Sequence, residues 1–188
     1  MTSPEYGFLD AIESAGPFNV SACFQCRKCT SGCPATFAMD LPPDQVVRLV
    51  LLGAKDEVLR CRTIWVCASC ETCTTRCPNG VKIAELMDGL KEMALKAGIP
   101  SPEPAVTAFH REFLADIARR GRIFEGGLIP RFVAASGKTW EMLATGAWKE
   151  EASLGWKMFR RGRLALYPRG IKGKDEVRAI LSGKEAVR

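Results

Sequence analysis

The sequence is poor in histidine and tyrosine, two residues with which enzymes move protons. Its 188 residues include one histidine, His110, and two tyrosines. His110 stands among apolar positions of a helical stretch with no recognisable partner, so no nucleophile–base constellation is legible. No run approaches the ~18 uninterrupted apolar residues of a membrane span. Met1 to Asp10 show no basic segment leading into an apolar one, so no secretory leader is expected. There is no G-x-G-x-x-G dinucleotide fingerprint, and no nucleic-acid-binding motif accompanies the net charge of +6. No segment of the first hundred residues alternates apolar and polar positions as a half-buried strand would. A helical chain remains, whose chemistry must come from a cofactor.

Cysteine is what the chain has in quantity, nine in all. Eight fall into two runs, Cys23-x2-Cys26-x2-Cys29-x3-Cys33-Pro34 and Cys67-x2-Cys70-x2-Cys73-x3-Cys77-Pro78. Each cysteine of the second run, and its proline, lies 44 positions after its counterpart, which marks an internal duplication. The spacing is the bacterial-type ligand pattern for [4Fe–4S] clusters. Three thiolates at i, i+3 and i+6 wrap one tight loop around three corners of a cube, and the fourth corner must be capped from elsewhere.

In two-cluster ferredoxins the fourth cysteine of each run serves the other cube. On that rule Cys23, Cys26, Cys29 and Cys77 hold one cluster, and Cys67, Cys70, Cys73 and Cys33 hold the other. Pro34 and Pro78 suit the position, because proline lacks an N–H and turns the chain away after the last ligand. Structural zinc prefers four ligands in pairs and leaves no use for a third cysteine per loop. Disulfides need an oxidising compartment, and nine cysteines leave one unpaired. The thiolate-rich site and the missing leader together predict a reducing cytoplasm. Cys61, outside both runs, reads as a small buried thiol.

The rest of the chain reads as helices. Expected helices cover residues 4–15, with Phe8, Leu9 and Ile12 on one face, a buried one from Pro43-Asp44 through Leu52, and a short one over Ala54–Arg60. Another follows Cys77-Pro78, with Asn79 as its cap. Ser101-Pro102-Glu103-Pro104 punctuates the chain, so two regions are expected, 1–100 binding the clusters and 101–188 a basic helical extension. Beyond it come Ala105–Arg120, a break at Gly126-Gly127, short pieces over Leu128–Ala135 and Lys138–Ala144, then Glu150–Arg161 and Asp175–Leu181, the last with Val177 and Ile180 inward.

Charge divides unevenly: residues 1–100 carry −1 and residues 101–188 carry +7. Trp156–Lys174 has seven basic residues and no acid. That run suits an acidic protein partner, peripheral contact with a membrane surface, or a solvated face. Within the loops, Arg27 and Lys28 occupy the positions of Glu71 and Thr72, so charge predicts a higher potential for the cube held by Cys23, Cys26 and Cys29.

The two repeats and their surroundings resemble the C-type iron–sulfur chain of heterodisulfide reductase. The residues that carry the likeness are Ala22-Cys23-Phe24-Gln25-Cys26, Ile64-Trp65-Val66-Cys67-Ala68-Ser69-Cys70, the helix Val46–Leu52 and Lys55-Asp56-Glu57-Val58. It is specific over about residues 8–100 and looser beyond. The resemblance implies an all-α protein: an α-helical ferredoxin domain with two cubane loops, followed by a helical C-terminal extension. It implies two [4Fe–4S] clusters that relay electrons from a flavin-containing A-type subunit to a B-type subunit, whose Cys-Cys-Gly motifs serve disulfide reduction. This chain has no adjacent cysteines, so it lacks that catalytic equipment. An iron–sulfur subunit of another anaerobic respiratory dehydrogenase, and a cluster-based sensor or regulator, are the competing readings.

Overall fold

The computed structural model describes residues 7–182, apart from residues 138, 147, 165, 166, 168 and 169. Among the described residues the chain forms α-helices and two short 3₁₀ turns, with no strand. It divides into two compact units, Met1–Glu103 and Pro104–Arg188.

The first unit holds α1 (Phe8–Ala15), α2 (Lys28–Ser31), α3 (Pro43–Leu51), α4 (Lys55–Arg60), α5 (Thr63–Val66), α6 (Thr72–Arg76) and α7 (Ile83–Lys96). The longer helices make one core. Ile12 of α1, Val46, Val47 and Val50 of α3, Val58 of α4, Ile64 of α5 and Leu86 and Leu90 of α7 are fully buried. Each such side chain contributes about 1.5–3 kcal/mol on leaving water. Proline at the first position and Asp44 in the first turn start α3 where the sequence places it. The two cluster helices, α2 and α6, face each other closely. A Cβ on Gly32 would come within 2.6 Å of the Arg76 guanidinium.

The second unit holds α8 (Pro104–Arg120), α9 (Glu125–Ala135), α10 (Thr139–Thr145), α11 (Trp148–Arg160) and α12 (Lys174–Leu181). Helices α9 and α12 pack on α8. Asp116 is completely buried in α8, where it pairs with Arg120 and Arg131 and accepts the backbone N–H of Phe124 at 2.7 Å. Phe109 meets Phe132 edge to face, with centroids 5.5 Å apart. Gly121 closes α8 with φ +75°, and the Ile171 side chain lies over it so closely that a Cβ would overlap its Cγ1. Both the left-handed backbone and the contact demand glycine.

Several expectations need correcting. Asn79 does not cap the helix after Cys77: α7 begins at Ile83, and the Asn79 amide instead donates to the carbonyl of Ala22. Gly126-Gly127 does not break the chain but forms the first turn of α9, whose N-terminal residues need no upstream partners within the helix. Helix α3 is not buried all round, since Gln45 and Arg48 are exposed and Leu52, just past its end, is 57% exposed. Ile180 points to solvent, whereas Val177 is half-buried. Lys138 of the predicted 138–144 piece lies outside the described residues.

Candidate iron–sulfur centres

The duplication read from the cysteines extends to the backbone. In the first loop Gln25 and Arg27 are left-handed, with φ of 62° and 63°; in the second, Ser69 and Glu71 are, with φ of 48° and 59°. These are matching positions, 44 residues apart. A non-glycine residue in this region costs about 1–2 kcal/mol, so four such residues at matching places are an imposed shape. Alternating the hand of successive residues is how a backbone lines an anion-binding concavity with its N–H groups. A thiolate-ligated cube is such an anion.

Each loop then enters its cluster helix in the same way. The Ser31 hydroxyl donates to the Arg27 carbonyl at 2.9 Å, and the Thr75 hydroxyl donates to the Glu71 carbonyl at 3.0 Å. The threonine after the third cysteine of each run caps the long helix that follows. Thr30 Oγ1 accepts the N–H of Asp44 at 3.1 Å, and Thr74 Oγ1 accepts that of Ala84 at 3.2 Å. Asp44 and Ala84 are each the second residue of their helix, where an N–H has no intrahelical acceptor.

The structure brings four predicted ligands together. Cys33, Cys67, Cys70 and Cys73 line one cavity with Pro34, Met39, Ile83 and Met87. Its wall thus draws three cysteines from the second run and the fourth from the first. The first residues of α3 and α7, Pro43 and Ile83, also line it, so two positive helix ends border the space. For the other set, the chain after Cys77 lies against the chain leading into Cys23. Asn19 donates to the Asn79 carbonyl at 3.1 Å, Asn79 donates to the Ala22 carbonyl, and the Lys82 N–H donates to the Phe18 carbonyl at 3.0 Å. Cys29 is buried, and Cys26 is exposed.

Hydrogen bonds to sulfur differ between the loops. Gln25 Nε2 donates to Cys23 Sγ at 3.3 Å, and the Val81 N–H donates to Cys77 Sγ at 3.4 Å. At the place of Gln25 the second loop has Ser69, whose hydroxyl donates to the Asp88 carboxylate at 2.9 Å. The Thr72 hydroxyl lies 3.4 Å from Cys70 Sγ and pulls that thiol below its usual pKa. Burial pushes Cys29 and Cys67 up, and Cys73 to about 11. Burial thus favours the neutral thiols, and a bound metal would supply the charge that favours the thiolates.

These features fit two cubanes: eight cysteines in duplicate loops, a mostly apolar cavity with four sulfurs around it, and backbone shaped for anions. They do not fit one zinc ion. Among the described residues no three His, Cys, Asp or Glu side chains converge as a single-ion site. Cys61 is buried, as its isolation in sequence implies, and burial lifts its thiol to about 11.

Asp40 was not singled out in the sequence. Its carboxylate accepts the N–H groups of Arg62 at 2.7 Å and Thr63 at 2.9 Å, together with the Thr63 hydroxyl at 2.7 Å. It thereby fixes the start of α5, which delivers Cys67. A lone acid 22 positions away carries no spacing signal. Phe24, next to a ligand, is 61% exposed, whereas Trp65 is buried in the core.

Comparison with known proteins agrees with this geometry. Residues 19–81 match the family described as a 4Fe-4S dicluster domain. The chain is 36% identical over 95 residues to the C-type chain of the H2:CoB-CoM heterodisulfide,ferredoxin reductase of Methanothermobacter marburgensis, covering 50% of this chain and 51% of that one. It is 41% identical over 80 residues to the second C-type iron–sulfur chain of the CoB–CoM heterodisulfide reductase of Methanocaldococcus jannaschii, covering 43% and 42%. It is 34% identical over 89 residues to the C-type chain of the ferredoxin:CoB-CoM heterodisulfide reductase of Methanosarcina acetivorans, covering 47% and 36%. The chain spans about half the length of the first of these relatives, and less of the others. No described helix is long and apolar enough to cross a membrane. The chain is therefore an all-α iron–sulfur protein with a 4Fe-4S dicluster domain for two [4Fe–4S] clusters, and over about half its length it is similar to the C-type chains of the heterodisulfide reductases.

Proposed function

We propose that this chain is the electron-relay subunit of a heterodisulfide reductase-like complex in a reducing cytoplasm. Cys23, Cys26, Cys29 and Cys77 hold one cluster, and Cys67, Cys70, Cys73 and Cys33 the other. Each cluster supplies reversible one-electron transfer when bound. Two such centres match the two electrons that, with two protons, convert one disulfide to two thiols. The protein's part is positional. Cys33 and Cys77 each reach across from one repeat to the other, the left-handed pairs shape both loops, and α3 and α7 clamp them through Thr30 and Thr74. The chain has no adjacent cysteines, so the disulfide is reduced on a partner bearing Cys-Cys-Gly motifs, and a flavin-containing protein feeds the relay. The basic second unit serves to dock these partners.

The observation that carries the reading is the cavity walled by Cys33 together with Cys67, Cys70 and Cys73. Anoxic purification tests it. About eight irons and eight sulfides per chain are expected, with a flavoprotein and a protein bearing Cys-Cys-Gly motifs eluting alongside. Four irons, or zinc, would overturn the ligand assignment; eight irons without any redox partner would overturn the complex.

A further inference from the structure

Of the nine cysteines, Cys26 and Cys70 alone are exposed; the other seven are half-buried or buried. They are matching positions, the second cysteine of each run. Electron exchange with another protein is fastest where a centre comes closest to the surface, so each loop offers one such place. The surroundings of the two differ in sign. Around Cys26, Phe24, Arg27 and Lys28 are exposed. The Arg27 side chain is 78% exposed, and its carboxylate partner Asp44, 3.6 Å away, is nearly buried beneath it. Around Cys70 the matching residues are Ala68, Glu71 and Thr72. Glu71 is exposed and has no cationic partner among the described residues, whereas Asp88, tied to the same loop by Ser69 at 2.9 Å, is paired with Lys91 at 2.9 Å.

We propose that the Cys26 loop is the docking face for a redox partner with an acidic surface, and that the Cys70 loop rejects that partner. Arg27 and Lys28 steer the acidic surface in, and charges of this kind act mainly on encounter rate and choice of partner. Phe24 supplies the apolar contact that holds it, as exposed aromatics do at the centre of interfaces. Glu71 supplies the repulsion that selectivity needs at the other end. The relay then receives and delivers electrons at two faces that one partner cannot confuse. This rests on the reading that both loops hold clusters.

The test uses the anoxically purified chain. Iron content and the EPR signals of the reduced protein are measured first; if they are missing, the relay reading fails before docking is addressed. The reduced chain is then mixed in stopped flow with ferric-EDTA, an anion, or tris(phenanthroline)cobalt(III), a cation. Arg27→Glu with Lys28→Thr gives the first loop the residues of the second, which already holds Glu71 in the same left-handed conformation. Oxidation by ferric-EDTA slows several-fold at low ionic strength, oxidation by the cobalt ion does not slow, and both effects fade at high salt. Glu71→Arg does the reverse for the second loop. In the purified complex Lys28 becomes protected from amine acylation compared with the chain alone. Rates indifferent to these substitutions in a chain with full iron, or Lys28 equally labelled in chain and complex, overturn the proposal.

Discussion

Gln25 distinguishes the two otherwise matching loops most directly, and replacing it by leucine isolates its contribution. Its amide donates to Cys23 Sγ at 3.3 Å. A hydrogen bond to a ligand sulfur favours the reduced, more negative cluster and so raises its potential. The net value of one such bond is about 1 kcal/mol, and for a one-electron couple a tenfold change in equilibrium, about 1.4 kcal/mol, is ~59 mV. Because the oxidised cluster also gains from the bond, only part of this separates the two states. Gln25→Leu is therefore expected to lower the potential of the first cluster by ~20–40 mV, by the same conversion. Ser69→Ala is the matched control, since the Ser69 hydroxyl donates to Asp88 rather than to sulfur. EPR-monitored redox titration of both variants is the assay. An unshifted first potential in Gln25→Leu, or an equal shift in both variants, would refute the reasoning. The same titration bears on the charge argument, in which Arg27 and Lys28 raise the first potential over the second. The pairing of Arg27 with Asp44 offsets part of that advantage, so a small difference in the same direction is expected.

Asp40→Ala leaves the first N–H groups of α5 without their acceptor and should cost about 1–2 kcal/mol, read as a lower urea midpoint with faster iron loss from the second loop. Burial opposes ionisation of Asp40, but the N–H groups of Arg62 and Thr63 and the Thr63 hydroxyl outweigh it and lower its pKa. Its contribution is thus complete above the ordinary value of 3.8 and fades as pH falls through the lower folded value. Asp116→Ala strands Arg120 and Arg131 in the second unit and should cost about 3–5 kcal/mol, with iron content unchanged; a loss of iron would contradict the separate cores. Cys61 should resist iodoacetamide at a pH of about 8 in the folded chain, well below its raised pKa, checked by mass spectrometry. Because burial raises its thiol from 9.0 to about 11, its contribution to stability is complete below the unfolded value and is lost as pH rises through the folded one.

Cysteine spacing made the centre legible because ligand geometry forces it: three sulfurs on one tight turn can be spaced in few ways. The helices were legible where a face repeats, as in Ile83, Leu86, Met87 and Leu90, or where Pro43 and Asp44 mark a start. Asn79 misled because a side chain suited to capping a helix is equally suited to bridging two segments, and the partner Ala22 is 57 positions away. Gly126 and Gly127 misled because glycine weakens a helix interior far more than a first turn. The left-handed residues could not be read at all. Gln25, Arg27, Ser69 and Glu71 share no preference for that conformation, which is imposed by the turn around the cysteines. Asp40 and the two capping threonines act over distance, and single residues without periodicity leave no pattern to read.

The shared wall of the Cys33 cavity also orders events in the life of the chain. A pocket that takes one cysteine from residue 33 and three from residues 67–73 does not exist until both repeats have been synthesised and have met. On the proposed ligation, neither loop completes a cluster as it emerges, because its fourth ligand lies in the other repeat. If the proposed ligation holds for both clusters, a chain cut between the repeats, however well each loop is spelled, lacks the fourth ligand of each.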